Sequence, residues 1–232
     1  VAISLTQRGS DRERKEIFSD EYFRDKDELP VHLVAALDEI IEQRRFKDIL
    51  EVGCGTGRLL RGLSRVGRRI HGCDLSHHAA KRAGAQVADA TRLPYKRKQF
   101  DFVIAVSVIE HLQEDQGEMF LNEVTRVLRK GGCLFMVTPN FASPLRYLKG
   151  KQWFGYTDPT HVQFYTPRQL ARKMERFGFG DIELRFSLKR YPDFNWGLPC
   201  NVPALNRFLS WLMIATPCAL VRDSFWIMGE NT

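Results

Sequence analysis

The spacing of apolar positions changes several times along the chain, and each change predicts an element. Residues 1–29 are dominated by charge, at Asp11 to Lys15 and again at Arg24 to Glu28, and read as an arm or short helix outside the core. After Pro30, placed where a first helical turn tolerates a missing N–H, Val34, Leu37 and Ile41 recur at helical spacing. At Lys47 the period shifts. Ile49, Leu50 and Val52 form a short apolar run that ends in glycines, and Leu59, Leu60 and Leu63 follow as a helix. Arg69 to Asp74 reads as a second strand, Ser76 as the N-cap of the next helix, and Gln86 to Ala88 as a third strand. Phe102 to Val106 is apolar without a break, as a central parallel strand covered on both faces must be.

Phe120, Leu121, Val124, Val127 and Leu128 then mark one face of an amphipathic helix, closed by Lys130-Gly131-Gly132. Cys133 to Val137 is a fifth strand ending at Thr138-Pro139-Asn140, and the aromatic stretch 140–165 is irregular. A helix resumes at Pro167 with Leu170, Met174 and Phe177, and a strand runs from Asp181 to Ser187. Residues 190–221 read as an insertion before a last strand, Ser224 to Met228. Short strands alternating with helices mean βαβ units: an α/β, doubly wound sheet with helices on both faces. With no repeat and no clean linker, residues 1–232 form one domain. It divides into an arm and helix (1–45), a core (46–139), and insertions at 140–165 and 190–221.

Composition narrows the function classes only a little. A 232-residue chain buries enough surface to need no staple, and its five cysteines (54, 73, 133, 200 and 218) include no Cys-x-x-Cys pair. That argues against a disulfide framework and a zinc site, and for a reducing, cytoplasmic setting. The longest near-apolar run, Phe208 to Val221, is too short to span a bilayer. A net charge of +7 permits anionic partners, but the positive residues are spread along the chain, as on a solvated surface.

The chemistry sits in Glu51-Val-Gly-Cys-Gly-Thr-Gly57. Arg58 stands where a dinucleotide turn needs its third glycine, and no Gly-Lys-Ser/Thr is present for a nucleoside triphosphate. An acid before three glycines, with no lysine in the loop, suits a cationic cofactor that the backbone must approach closely. Asp74, at the end of the second strand, can accept the hydroxyls of an adenosine ribose. Asp89-Ala90 follows the third strand, where a carboxylate suits the adenine amino group. Val106-Ser107 ends the central strand, and ligands of such sheets bind beyond these carboxyl ends.

Taken in order, Ile49-Leu-Glu-Val-Gly-Cys-Gly-Thr-Gly57, Gly72-Cys-Asp-Leu-Ser76, Ala88-Asp-Ala90, Phe100-Asp-Phe-Val103, Glu110-His-Leu112 and Val127-Leu-Arg-Lys-Gly-Gly132 resemble the class I S-adenosylmethionine-dependent methyltransferases. Within that class the chain resembles the small-molecule branch of quinone-biosynthesis and cell-envelope saccharide enzymes, with His161-Val-Gln-Phe-Tyr-Thr-Pro167 similar to a segment of that branch. The resemblance implies a Rossmann-like sheet of seven strands with one antiparallel strand. It also implies S-adenosylmethionine as cofactor, S-adenosylhomocysteine as product, and cofactor roles for Gly53, Gly55, Asp74, Asp89 and Ala90. Glu51, Gly57, Leu75 and Ser107 complete the expected cofactor set.

His111 and His161 are candidate general bases for an O-methyl transfer, against a bland role in shaping the pocket or holding a lid. Ser107 stands where some quinone-modifying relatives carry an additional acid before the Glu-His pair, so no metal is expected. The expected partner is a small-molecule or lipid- or carrier-linked acceptor, with oxygen favoured and peripheral membrane contact left open. The rival readings are an RNA methyltransferase, suggested by the basic balance but lacking any base-amino motif, and a non-catalytic cofactor-binding protein.

Overall fold

Strand β1 (Asp48–Val52) is buried at every position and pairs in parallel with two neighbours, β2 (Arg69–Asp74) and β4 (Phe100–Val106). The computed structural model describes Tyr22, residues 31–185 and residues 223–232. The rest of the expected arm, Pro30, the insertion at 190–221 with its apolar run, Cys200 and Cys218 lie outside those residues. Around β1 the sheet grows in the order β3-β2-β1-β4-β5-β7-β6, with β3 at Gln86–Val87, β5 at Leu128–Pro139, β6 at Phe179–Arg185 and β7 at Ser224–Asn231. Strand β7 runs antiparallel to both β5 and β6 and is the one reversed strand of the seven.

Alternation along the central strands sorts side chains into two layers. Ile49, Phe102, Ile104 and Phe135 pack with α1 (Val31–Arg44) and α2 (Arg58–Leu63), through Leu37, Ile41, Leu59 and Leu63. Leu50, Val52, Val103, Ala105 and Met136 face the opposite way, onto Phe120, Leu121 and Val124 of α4 (Glu114–Val127) and Leu170 and Met174 of α7 (Pro167–Arg176). Helix α3 (His77–Ala83) is capped by Ser76, as its sequence predicts. Among the described residues no helix is long and apolar enough to cross a membrane.

Boundaries differ from the sequence reading in places where pairing overrides local signals. Lys130-Gly131-Gly132 does not close α4. The helix ends at Val127 and β5 starts at once, with Leu128 opposite Phe100 and a register shift before Phe102 pairs with Cys133. Gly131, at φ 77°, belongs to that irregularity inside the strand. Strand β4 begins two residues early, at Phe100, and β7 runs on to Asn231 because its reversed partners continue beside it. Residues 140–165 hold short turns of helix, α5 (Leu145–Lys149) and α6 (Phe154–Thr157), and a single-residue bridge joins Asn140 to Tyr165.

Candidate active site

All four expected cofactor elements gather beyond the carboxyl ends of β1 to β4. After β1 the backbone takes positive φ at Gly53 (69°), Gly55 (51°) and Gly57 (80°), a path that costs an L-residue about 1–2 kcal/mol per position. A Cβ on Gly53 would sit 2.5 Å from Cγ2 of Val108, so the turn after β4 lies directly against the glycine loop. Gly55 donates its N–H to Oδ2 of Asp74 at 2.8 Å, and Ser76 donates to Oδ1 at 2.8 Å. Asp74 therefore ties the loop to the start of α3, and its oxygens keep further lone pairs for a ligand. Burial raises its pKa, against the pull of the two N–H donors.

Glu51 is buried, with Oε2 lacking any hydrogen-bond partner. Burial holds its pKa well above the usual carboxylate range, although the Arg58 guanidinium opposes this. Asp89 uses Oδ1 to accept from the N–H and hydroxyl of Thr91, at 2.8 and 2.7 Å, and is half-buried beside Ala90. Leu75 is also half-buried, next to Asp74. Ser107 takes φ 53°, uncommon for a residue other than glycine, and its side chain hydrogen-bonds Glu110.

The opposite wall is built by the short turn Ile109–His111 and the segment folded over it. Val162 and Gln163 donate their N–H groups to the carbonyl of Glu110, at 2.9 and 3.1 Å, and so fix residues 158–163 above that turn. His111 and His161 meet edge to face with ring centroids 4.8 Å apart. Nδ1 of His161 lies 2.8 Å from the carbonyl of Gly155, so that nitrogen carries the proton. Nδ1 of His111 lies 2.8 Å from Oγ1 and 3.2 Å from the carbonyl of Thr160. Asp158 accepts from the N–H and hydroxyl of Thr160, at 2.9 and 2.5 Å, and from the hydroxyl of Tyr22 at 3.0 Å.

Of the aromatics in 140–165, Trp153 proves to be core: it is fully buried, and its Nε1 donates to Asp223 at 2.9 Å. Phe141 and Phe164 stack at 5.4 Å beside it, and Phe164 meets the His161 ring edge-on at 6.4 Å. Sequence reasoning named both histidines but missed Tyr22, Asp158 and Thr160. Asp158-Pro-Thr160 does carry the turn chemistry of an aspartate capping the residue two ahead, the one signal that marked it.

A family model described as a methyltransferase domain matches residues 22–184, more than half of the chain. The chain belongs to this methyltransferase family. The methyltransferase is 30% identical over 154 residues to the ubiquinone biosynthesis O-methyltransferase of Nitrobacter winogradskyi, a match covering 58% of this chain and 57% of the relative. It is 38% identical over 94 residues to a tRNA (carboxymethyluridine(34)-5-O)-methyltransferase of Arabidopsis thaliana, covering 38% of this chain and 23% of that protein. The chain thus spans little more than half the length of the first curated relatives it matches. Its fold is that of a solved S-adenosylmethionine-dependent methyltransferase from Archaeoglobus fulgidus, at TM-score 0.64 and 18% identity, covering 91% of this chain and all of that one.

The methyl donor implied by this class I family, S-adenosylmethionine, fits the residues of the methyltransferase on three counts. The buried Glu51 oxygen without a partner suits a cationic group. The loop turns where a Cβ at Gly53 or Gly57 would collide with Val108 or Ala83. The loop 51–57 also has no lysine to repel positive charge. The sequence predicts no metal; donor atoms of Glu110, His111 and His161 nevertheless all lie within 4.8 Å of one another, the one such trio among the described residues. By type and spacing these three could share a divalent cation.

Glu110 is expected to make the methyltransferase less stable as pH rises. Burial pushes its carboxyl from 4.5 to about 7, with hydrogen bonds from its own N–H, Thr138 and Ser107 only partly offsetting this. Between those values the unfolded chain releases the proton and the folded chain keeps it, so stability falls with rising pH and levels off above the folded value. The full loss is on the order of 3 kcal/mol. Glu110→Gln removes this slope, and urea titrations with chelator present, at about pH 5 and about pH 8, check it. An equal slope in both proteins would assign the effect to another group.

Proposed function

We propose that this methyltransferase moves the methyl group of S-adenosylmethionine to an oxygen of a small or carrier-linked acceptor, of phenol or quinol type, with His111 taking the acceptor proton. The observation that carries the reading is the contact between the two walls: the turn bearing His111 begins at Val108, the side chain packed against Gly53. In this reading Gly53, Gly55 and Gly57 let the backbone approach the methionine end, with Glu51 beneath it. Asp74 takes the ribose hydroxyls, Asp89 with Ala90 the adenine, and Leu75 and Ser107 flank them. When bound, the cofactor supplies an electrophilic methyl on a sulfonium. The protein supplies alignment, which accounts for much of the rate, and a base within reach of the acceptor hydroxyl.

His111 is preferred to His161 because it lies on the turn that begins at Val108, against Gly53 of the glycine loop. Nε2 of His161 points at Oδ2 of Asp158, 4.0 Å away, in a side chain only 5% exposed. That placement suits a lid-holding residue. His111→Ala is expected to slow turnover by roughly 10²- to 10⁴-fold while S-adenosylhomocysteine affinity persists. The assay is labelled-methyl transfer across phenols, quinols, saccharides and tRNA, run with chelator and with added divalent metal. Unchanged turnover in His111→Ala would remove the base assignment.

A second acceptor class, RNA, is favoured by the relative from Arabidopsis thaliana and by the net charge of +7. Methylation of tRNA in that panel, with affinity falling steeply as salt rises, would select it.

A further inference from the structure

We infer that Arg146 recognises an oxyanion, a carboxylate or a phosphate, carried by the methyl acceptor, with the body of that acceptor packed along Phe141 and Phe164. This narrows the acceptor class of the proposed methyl transfer and rests on that reading.

Its ground is a cation without a counter-ion. Arg146 stands on α5, in a stretch from 141 to 157 that contains no Asp or Glu. Asp223, just before β7, reaches this stretch but is taken by Lys149 at 2.5 Å and by Nε1 of Trp153 at 2.9 Å. Among the described residues no carboxylate pairs with Arg146, whereas Arg68, Arg126 and Arg129 each have one. Aromatic side chains hold it instead. Its guanidinium carbon lies 4.0 Å from the ring centroid of Phe141 and 4.3 Å from that of Tyr147, within range of cation–π contact. Nη1 donates to the Tyr156 hydroxyl at 3.3 Å, and Nη2 to the Tyr147 hydroxyl at 2.7 Å. Nε is enclosed and has no hydrogen-bond partner. A charged N–H left in that state is costly, and a ligand oxygen that accepts from it removes the cost.

Nε and Nη2 form the edge of a guanidinium that grips a carboxylate or phosphate with two parallel bonds. The Tyr147 hydroxyl occupies one of those two positions. Tyr147 is 75% exposed, so its side chain can swing outward with little loss of packing. Arg146 also stands at the right end of the sheet. Helix α5 follows β5 beyond its carboxyl end, the edge at which the cofactor elements gather. A continuous set of rings leads from there to the histidines: Phe141 stacks on Phe164 at 5.4 Å, and Phe164 meets His161 edge-on at 6.4 Å. An acceptor laid along these rings places its charge at Arg146 and its hydroxyl toward the other end.

Calorimetric titration of the full chain, loaded with S-adenosylhomocysteine, tests this without any turnover. The probes are benzoate and phenyl phosphate, with benzyl alcohol as the neutral reference. At least one anion is expected to bind more tightly than the alcohol, and the better of the two tells carboxylate from phosphate. Arg146→Gln should weaken that anion about tenfold to a hundredfold, the loss of a hydrogen bond to a charged group. Affinities for the alcohol and for S-adenosylhomocysteine should stay within about twofold, since the cofactor loop is not touched. Arg146→Lys keeps the charge without the two-bond edge and should fall between. Tyr147→Phe keeps the ring and removes the competing hydroxyl, so it should bind the anion at least as tightly as the native chain. Anions no tighter than the alcohol, unchanged anion affinity in folded Arg146→Gln, or weaker anion binding in Tyr147→Phe overturns the inference. If Arg146→Gln fails to fold, Arg146→Lys decides by the same titration. Once an acceptor is methylated, Arg146→Gln should raise KM for its anionic form by the same factor with kcat nearly unchanged. No turnover with any acceptor would instead remove the proposed transfer and leave the titration to judge Arg146 separately.

Discussion

Asp74→Asn is expected to weaken S-adenosylhomocysteine binding by about 1.5–3 kcal/mol, the range for losing a hydrogen bond to a charged group. The same substitution should destabilise the free protein. Gly55 and Ser76 each give an N–H to one oxygen of the carboxylate at 2.8 Å, and an asparagine amide offers only one acceptor to these two donors. One buried donor is left facing an NH₂ group, at a cost of about 1–3 kcal/mol. Calorimetry reads the first effect and urea unfolding the second, so the two can be separated. A surface carboxylate at this position would cost under about 0.5 kcal/mol on either measure. Unchanged affinity would remove the ribose assignment while leaving the structural one intact.

Gly57→Ala should be among the most damaging single-methyl changes in the chain. At φ 80° the left-handed backbone costs an alanine about 1–2 kcal/mol. The new Cβ would also stand 2.9 Å from Cβ and 3.1 Å from Cα of Ala83, at the end of α3. Backbone cannot rotate aside, so overpacking adds about 1–3 kcal/mol. Gly67→Ala is the control: its φ is 88°, and nothing lies within 4 Å of its Cβ position. It should lose only the conformational part. Equal shifts in the urea midpoints of the two variants would mean that the close approach of loop and helix contributes nothing.

Much of this site could be read from the sequence because its parts are local. An apolar run followed by Gly53, Gly55 and Gly57, then an acid at the end of the second strand and another just after the third, describes one edge of a parallel sheet without any long-range information. The helix caps were equally local, since Ser76 and Thr166 each accept from a backbone N–H three residues ahead. Boundaries set by pairing were not local. Nothing in Lys130-Gly131-Gly132 announces that Leu128 is already opposite Phe100, because that is a property of two strands together. The wall formed by residues 109–111 and 158–163 was legible only as histidines, for the same reason. Tyr22, His111 and Asp158 share one network across 136 residues of chain, and only the fold brings them together.

The central claim is that the edge formed by Glu51, the three glycines, Asp74 and Asp89 is a site for S-adenosylmethionine. Isothermal titration of the native chain with S-adenosylhomocysteine, then with NAD and ATP as competitors, tests it most directly. Single-site binding of S-adenosylhomocysteine, weakened in Asp74→Asn and indifferent to NAD and ATP, is the predicted result. No binding of S-adenosylhomocysteine, or its displacement by either competitor, would contradict the claim.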